Sequence, residues 1–196
     1  LKLENLKLEE IILLINYLSK NNELVISKFL CQKLLPKKNY HIHFLYGLIL
    51  RKLDDFELSL KYFLLAYRAN PKDSFFAHEV GSVYEILGNL EEAKKFYKTS
   101  IHINPDFSLG YRSLADLKCL KENDKNILEE KIKEKKNNFF LIHAYYALSK
   151  YYSDISDYKK SYSNLTEANR LKNSELNYDG DRYKKISKFY TKFKSN

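Results

Sequence analysis

Apolar residues recur three and four positions apart through most of this chain, which places them on one face of an α-helix. Short polar breaks interrupt the pattern, among them residues 18–23 (LSKNNE) and 86–90 (ILGNL). The Gly and Asn residues in such breaks are typical helix terminators and caps. Pro71 and Pro105 each follow an Asn and end later helices, because Pro lacks a backbone N–H and restricts the residue before it. The pattern predicts helices joined in pairs by tight turns.

The helix pairs repeat with a period of 34 residues. Gly47 and Gly81 are 34 apart (81 − 47), and Pro71 and Pro105 are also 34 apart (105 − 71). A small residue at the glycine position lets two antiparallel helices approach closely. Extending the register gives one column, four of whose five members are small: Leu13, Gly47, Gly81, Ala115 and Ser149.

Other columns keep the same period and are mostly apolar or small. They read Val25, Ser59, Ala93, Ile127, Ser161; then Phe29, Phe63, Tyr97, Lys131, Leu165; and then Gln32, Ala66, Ser100, Glu134, Ala168. A bundle of unrelated helices is the alternative, but it would not align several columns at one period. A repeat array is therefore favoured.

This register resembles the tetratricopeptide repeat, a helix-turn-helix unit of 34 residues with small and aromatic side chains at these columns. The resemblance implies an all-α fold, a right-handed α-solenoid of about five hairpins. The predicted units span residues 6–39, 40–73, 74–107, 108–141 and 142–175, and a capping helix follows over residues 176–196. The fourth unit diverges, because Lys131 and Glu134 stand where an aromatic residue and an alanine are usual. Its second helix is expected to be shorter, more exposed or shifted.

The resemblance also implies a concave groove lined by the first helix of each unit. Carried over to this sequence, the groove positions are Phe44, Leu48, Arg51, His78, Ser82, Glu85, Arg112, Asp116, Tyr146 and Lys150. This mixed-charge, aromatic set suits a peptide or a partner helix. Some members of the family clamp a C-terminal carboxylate with Lys and Asn. Here the Asn column reads Leu14, Leu48, Ser82, Asp116 and Lys150, which disfavours that role.

Composition supports a protein with a packed helical core. Hydrophobic residues make up 44% and charged residues 30% of the 196 positions, and only five Gly and three Pro are present, too few for the turns of an all-β fold. No apolar run approaches the roughly 20 residues of a membrane span. The two isolated thiols, Cys31 and Cys119, lack any metal-binding spacing and predict reduced cysteines of a cytoplasmic protein. The chain begins at Leu1 and contains no Met, as expected of a trimmed or processed fragment.

The formal net charge of +9 permits binding to nucleic acid. However, the lysines are spread along the chain among Glu and Asp, whereas a nucleic-acid footprint is a clustered patch. The most basic stretch is the predicted C-terminal helix, with Lys184, Lys185, Lys188, Lys192 and Lys194. Nucleic-acid binding is therefore the least favoured of three functional hypotheses.

Catalytic motifs are not found in the sequence. The glycines form no phosphate-binding loop, no HExxH or CxxC occurs, and the five histidines do not group as ligands. The acidic pairs Glu91-Glu92 and Glu129-Glu130 suit helical first turns or solvated faces. We therefore expect a non-enzymatic protein with no metal and no cofactor.

Residues 141–193 also resemble the end of the repeat region in bacterial tetratricopeptide-repeat sulfotransferases, through the segments EANRLK and ELNY. In that family a sulfotransferase domain with a phosphosulfate-binding loop follows. The leading hypothesis is a protein-interaction scaffold that binds a peptide or helix in its groove. The alternative is an N-terminal accessory region that positions an acceptor for such a catalytic domain.

Overall fold

The computed structural model describes residues 7–37, 39–134 and 137–175, and these form ten α-helices, one short 3-10 turn and no β-strand. The helices are α1 Leu8–Lys20, α2 Leu24–Leu34, α3 Tyr40–Lys52, α4 Phe56–Ala69, α5 Ser74–Ile86, α6 Leu90–Ile103, α7 Ser108–Asp116, α8 Glu122–Glu134, α9 Asn138–Asp154 and α10 Tyr158–Glu175. Taken in pairs they form five consecutive hairpins, and each hairpin packs on the next to give an α-solenoid. The predicted capping helix and its lysines lie outside the described residues.

The turn inside each hairpin is closed by a residue in the left-handed region. Asn22, Asp54, Gly88, Lys118 and Ser156 have φ between 54° and 78°. The amide that follows donates back to the preceding helix; for example, Asn89 N–H donates to the Tyr84 carbonyl at 2.8 Å. These bonds satisfy carbonyls at the helix end that would otherwise lack a partner. The polar breaks of the sequence are therefore helix C-caps, as predicted.

Side-chain caps begin the first helix of three hairpins. The side chains of Asn39, Asp73 and Asn137 each accept from two backbone N–H groups at the start of α3, α5 and α9. Such a cap stabilises a helix by about 1 kcal/mol. The caps set where each first helix starts, and hence which of its residues face outward.

The small-residue column does allow close helix approach in the second and third hairpins. A Cβ on Gly47 would lie 2.7 Å from the Phe63 ring, and one on Gly81 would lie 2.9 Å from the Tyr97 ring. Phe63 and Tyr97 are almost completely buried. The aromatic residue of each second helix therefore packs on the glycine of its own first helix.

The register predicted for the first hairpin is wrong by two residues. Leu13 and Val25, which were assigned to inward columns, are 69% and 77% exposed. Ile15 and Ser27, two positions later, are fully buried instead. Accordingly α1 begins 32 residues before α3 (40 − 8), not 34.

The fourth hairpin is shifted, as the divergent sequence predicts. Its turn residue is Lys118, four positions before the periodic position 122 (88 + 34), so α7 loses about one helical turn. Its second helix, α8, contributes one fully buried residue, Leu128, while Lys131 and Glu134 stay out of the core. Since α9 starts at Asn138, four residues before the predicted boundary at 142, the register is restored at Ser149, which is buried.

Both cysteines are free thiols. Cys31 is fully buried, and burial raises the pKa of its thiol to about 12. It is therefore a core residue of the first hairpin and not a reactive group. Within the described part of the chain, no helix is both long and apolar enough to cross a membrane.

Candidate functional site

The first helices α3, α5, α7 and α9 carry all ten predicted groove residues. Seven of the ten retain at least partly exposed side chains, and we call the surface that they form the first-helix face. Its members are Arg51, Ser82, Glu85, Arg112, Asp116, Tyr146 and Lys150.

The other three predicted residues belong largely to the core. Phe44 is 8% exposed and stacks on Phe76 with ring centroids 4.5 Å apart. Leu48 is half-buried against both the first and second hairpins, and His78 is only 9% exposed. Phe44 therefore packs between repeats and does not present its ring to a ligand.

A charge pair links the second hairpin to the third. The Arg51 guanidinium on α3 contacts the Glu79 carboxylate on α5, and Arg51 Nη1 donates to Ser82 Oγ at 3.3 Å. The Glu79 side chain is 6% exposed, whereas that of Arg51 is 28% exposed. A buried carboxylate needs such a partner, because an unpaired charge in the interior is costly. Arg51 is thus held in place by α5 and is partly neutralised.

His78 links the third hairpin to the fourth. Its Nε2 lies 3.0 Å from Ser113 Oγ on α7, and its Nδ1 lies 3.6 Å from Glu79 Oε1. Among the described residues neither His78 Nδ1 nor Glu79 Oε2 has an aligned hydrogen-bond partner. The ring also packs against Tyr97 and Phe107, with centroids 5.1 and 5.3 Å away. His78 therefore acts as a packed polar residue between repeats.

Arg112 links the fourth hairpin to the fifth and is the centre of the first-helix face. It donates to His143 Nδ1 at 3.1 Å, and its guanidinium lies 4.7 Å from the centroid of the Tyr146 ring. Arginine is always a donor, so His143 Nδ1 must be unprotonated. Burial, with the positive charge of Arg112 as the next cause, lowers the pKa of His143 to about 4. Near neutral pH the histidine is therefore an uncharged acceptor that orients Arg112.

The acidic members of the face are placed differently from one another. Glu85 accepts from the Tyr97 hydroxyl at 2.5 Å, and burial together with this bond raises the pKa of Tyr97. Asp116 lies 4.0 Å from Arg112 Nε and its side chain is 57% exposed. Partial burial raises the pKa of the Asp116 carboxyl, and Arg112 opposes that shift. Glu85 is therefore engaged by the core, whereas Asp116 is open to a partner.

The remaining two members form contacts within the last hairpin. The Tyr146 hydroxyl donates to Asn169 Oδ1 on α10 at 2.7 Å. Lys150 pairs with Asp154, one turn further along α9, at 3.1 Å. Both side chains are anchored at one end, which lowers the entropy cost of presenting them to a ligand.

Three residues of this network were not among the predicted positions: Glu79, Ser113 and His143. Each lies beside a predicted residue in space but belongs to a neighbouring column, so the repeat register alone does not select it. Over the described ranges no group of three His, Cys, Asp or Glu side chains is arranged to hold a metal ion.

Two segments match the tetratricopeptide repeat by sequence, residues 40–73 and 77–107. They coincide with the second and third hairpins, so the chain carries tetratricopeptide repeats there. A search of curated proteins finds no significant match. The comparisons do not show the sulfotransferase resemblance predicted for residues 141–193, part of which lies outside the described residues.

Solved structures share the fold at low sequence identity. MamA is 13% identical and aligns with a TM-score of 0.63 over 84% of this chain and 97% of its own. A tetratricopeptide repeat protein from Parabacteroides merdae is 19% identical, with a TM-score of 0.63 over 93% of this chain and 72% of its own. YrrB, described as a tetratricopeptide repeat protein with an unusual peptide-binding site, is 16% identical, with a TM-score of 0.56 over 82% of this chain and 84% of its own. These likenesses establish a tetratricopeptide-repeat α-solenoid as the architecture of this chain.

Proposed function

We propose that this protein is an interaction scaffold that binds an extended peptide or a partner helix on its first-helix face. The observation that carries the proposal is a series of side-chain contacts that joins α3, α5, α7 and α9 in order. The contacts are Arg51 with Ser82, His78 with Ser113, and Arg112 with His143. They hold the side chains of four helices in one connected polar and aromatic surface.

Arg112 and Tyr146 are the expected anchors of the partner. Arg and Tyr are enriched among the residues that contribute most to binding at protein interfaces. Arg112 is stacked on Tyr146 and oriented by His143, so little conformational freedom is lost when it binds. Arg51 is already paired with a buried carboxylate, whereas Arg112 has only the 4.0 Å contact with the exposed Asp116. A carboxylate or backbone carbonyl of a partner would therefore be met first by Arg112.

The test compares two double variants on a peptide array probed with the purified chain. Arg112→Glu with Tyr146→Ala is expected to abolish most of the peptide signals, because it reverses the central charge and removes the ring. Lys72→Glu with Tyr158→Ala is the matched control, since both residues are exposed and lie off the face. Circular dichroism verifies that both variants are folded. Undiminished binding by the first variant, or equal loss in both, would contradict the assignment.

A further inference from the structure

A cleft of about 820 Å³ opens on the second helices, between α6 and α8. It lies beside the irregular fourth hairpin, where the turn comes one helical turn early and α8 is displaced from its periodic position. Its size is within the range of ligand sites, roughly 300–1,000 Å³. None of its lining residues is a member of the first-helix face.

The floor of the cleft is apolar and its rim is basic. Ile101, Ile127 and the nearly buried Tyr111 lie among its lining residues. Burial, with the negative charges of Asp124 and Asp106 nearby, raises the pKa of Tyr111 to about 12. The Tyr111 hydroxyl therefore stays protonated and adds no charge to the floor.

Lysines outnumber carboxylates around this floor. Four lysines line the cleft (Lys94, Lys95, Lys98 and Lys121) against two carboxylates (Glu91 and Asp124), an excess of two positive charges (4 − 2).

Three of these lysines have no acidic partner. Lys95 pairs with Glu92 at 3.4 Å, but Lys94, Lys98 and Lys121 form no ion pair within the described part of the chain. Asp124 is occupied as well, because it accepts from the backbone N–H of Lys121 at 3.0 Å, at the start of α8.

We infer that this cleft is a second binding site, whose ligand is an acidic peptide segment carrying a bulky apolar side chain. Lys94 and Lys98 lie one turn apart on α6, about 6 Å between their Cβ atoms, and Lys121 lies across the cleft. Cations spread in this way match several spaced carboxylates better than one compact anion. The apolar floor between them takes the side chain, and its burial adds affinity to the charge contacts.

The inference is tested by fluorescence anisotropy with a labelled short peptide, in which a central Phe and Leu are flanked by Glu residues. Lys94→Glu with Lys98→Glu is expected to weaken binding at least about tenfold, since it replaces two attractions with two repulsions. Lys20→Glu with Lys72→Glu carries the same charge change at exposed sites away from the cleft and is expected to change affinity little. Equal weakening by both pairs would reduce the effect to net charge and overturn the site.

Two further arms separate the alternatives. A peptide with Ser in place of Phe and Leu is expected to bind more weakly, because the floor is then unfilled; equal binding would remove the apolar part of the inference. Inorganic phosphate is expected to displace the peptide no better than sodium chloride at matched ionic strength, and much better displacement would indicate a compact-anion site instead. The Arg112→Glu/Tyr146→Ala variant is expected to bind this peptide unchanged, so failure here and failure of the proposed function are distinguishable; lost binding would move the peptide to the first-helix face.

Discussion

The Phe63 ring on α4 lies against the backbone of Gly47 on α3, so closely that an added Cβ would come within 2.7 Å of ring carbons. Phe63 is completely buried, and Ser59, one turn earlier on α4, donates to the Gly47 carbonyl at 2.8 Å. The ring and the hydroxyl together hold the two helices of the second hairpin at short range. Tyr97 and Gly81 repeat the ring contact in the third hairpin.

Replacing Gly47 with alanine is expected to destabilise the protein despite the higher helix propensity of alanine. The added methyl must displace a buried ring at a cost of about 1–3 kcal/mol. Propensity returns about 1 kcal/mol, so a net loss of about 1 kcal/mol in the free energy of unfolding is expected. Urea unfolding followed by circular dichroism measures it.

The control is a double-mutant cycle with Phe63→Leu. In that background Gly47→Ala is expected to cost about 1 kcal/mol less than in the wild type, because the methyl no longer meets the ring. A Gly47→Ala variant more stable than the wild type would show that the close contact is wrong.

Removing Arg51 is expected to be more harmful than removing both members of its charge pair. Arg51→Met leaves the Glu79 carboxylate buried and unpaired, with an expected loss of about 2–4 kcal/mol. The double variant Arg51→Met/Glu79→Met is expected to recover much of that stability, since two apolar side chains replace the pair. The free energies of unfolding of the single and double variants decide; an equally or less stable double variant would refute this reading.

His143 is expected to make stability fall as the pH is lowered from about 6.5 toward about 4. In the folded state its pKa is depressed to about 4, whereas in the unfolded chain it titrates near 6.5. Between these values the unfolded state binds more protons, so acid favours unfolding. Urea unfolding at a series of pH values in this window measures the slope.

The matched variants are His143→Gln and His41→Gln. Glutamine at 143 can still accept from Arg112 but does not titrate, so its stability is expected to fall less with pH than that of the wild type. His41 is exposed, and its replacement is expected to leave the pH dependence unchanged. Identical slopes for the wild type and the 143 variant would exclude His143 as a source of the dependence.

Lys118→Gly is expected to stabilise the protein. Lys118 has φ of 54°, a left-handed conformation that costs L-residues about 1–2 kcal/mol and glycine much less. A gain of about 1 kcal/mol is expected by thermal or urea unfolding. Asp54→Gly serves as the comparison, with a smaller gain because Asp tolerates this region; Gly88→Ala is expected to lose stability. A loss in Lys118→Gly would indicate that the lysine side chain has a structural role at this turn.

The all-α repeat architecture follows from local properties that the sequence displays directly. Apolar spacing, Gly88 at a turn and Asn-Pro at helix ends act within a few residues, so the second and third hairpins appear with correct columns. The same is true of the turn at Ser156, which keeps the 34-residue period from Gly88 through position 122 (156 − 88 = 68). The weakened second helix of the fourth hairpin was predictable as well, because Lys131 and Glu134 do not suit a buried column.

Only the tertiary structure decided the register of the first hairpin and the network on the first-helix face. Leu13 and Ile15 both fit a helical apolar pattern, and packing against α3 buries Ile15 instead. Likewise, His143 meets Arg112 because α9 packs directly against α7, a contact between residues 31 apart in the chain. Helical periodicity is a short-range property that specifies a face of one helix, whereas the partner of each face depends on how successive helices pack.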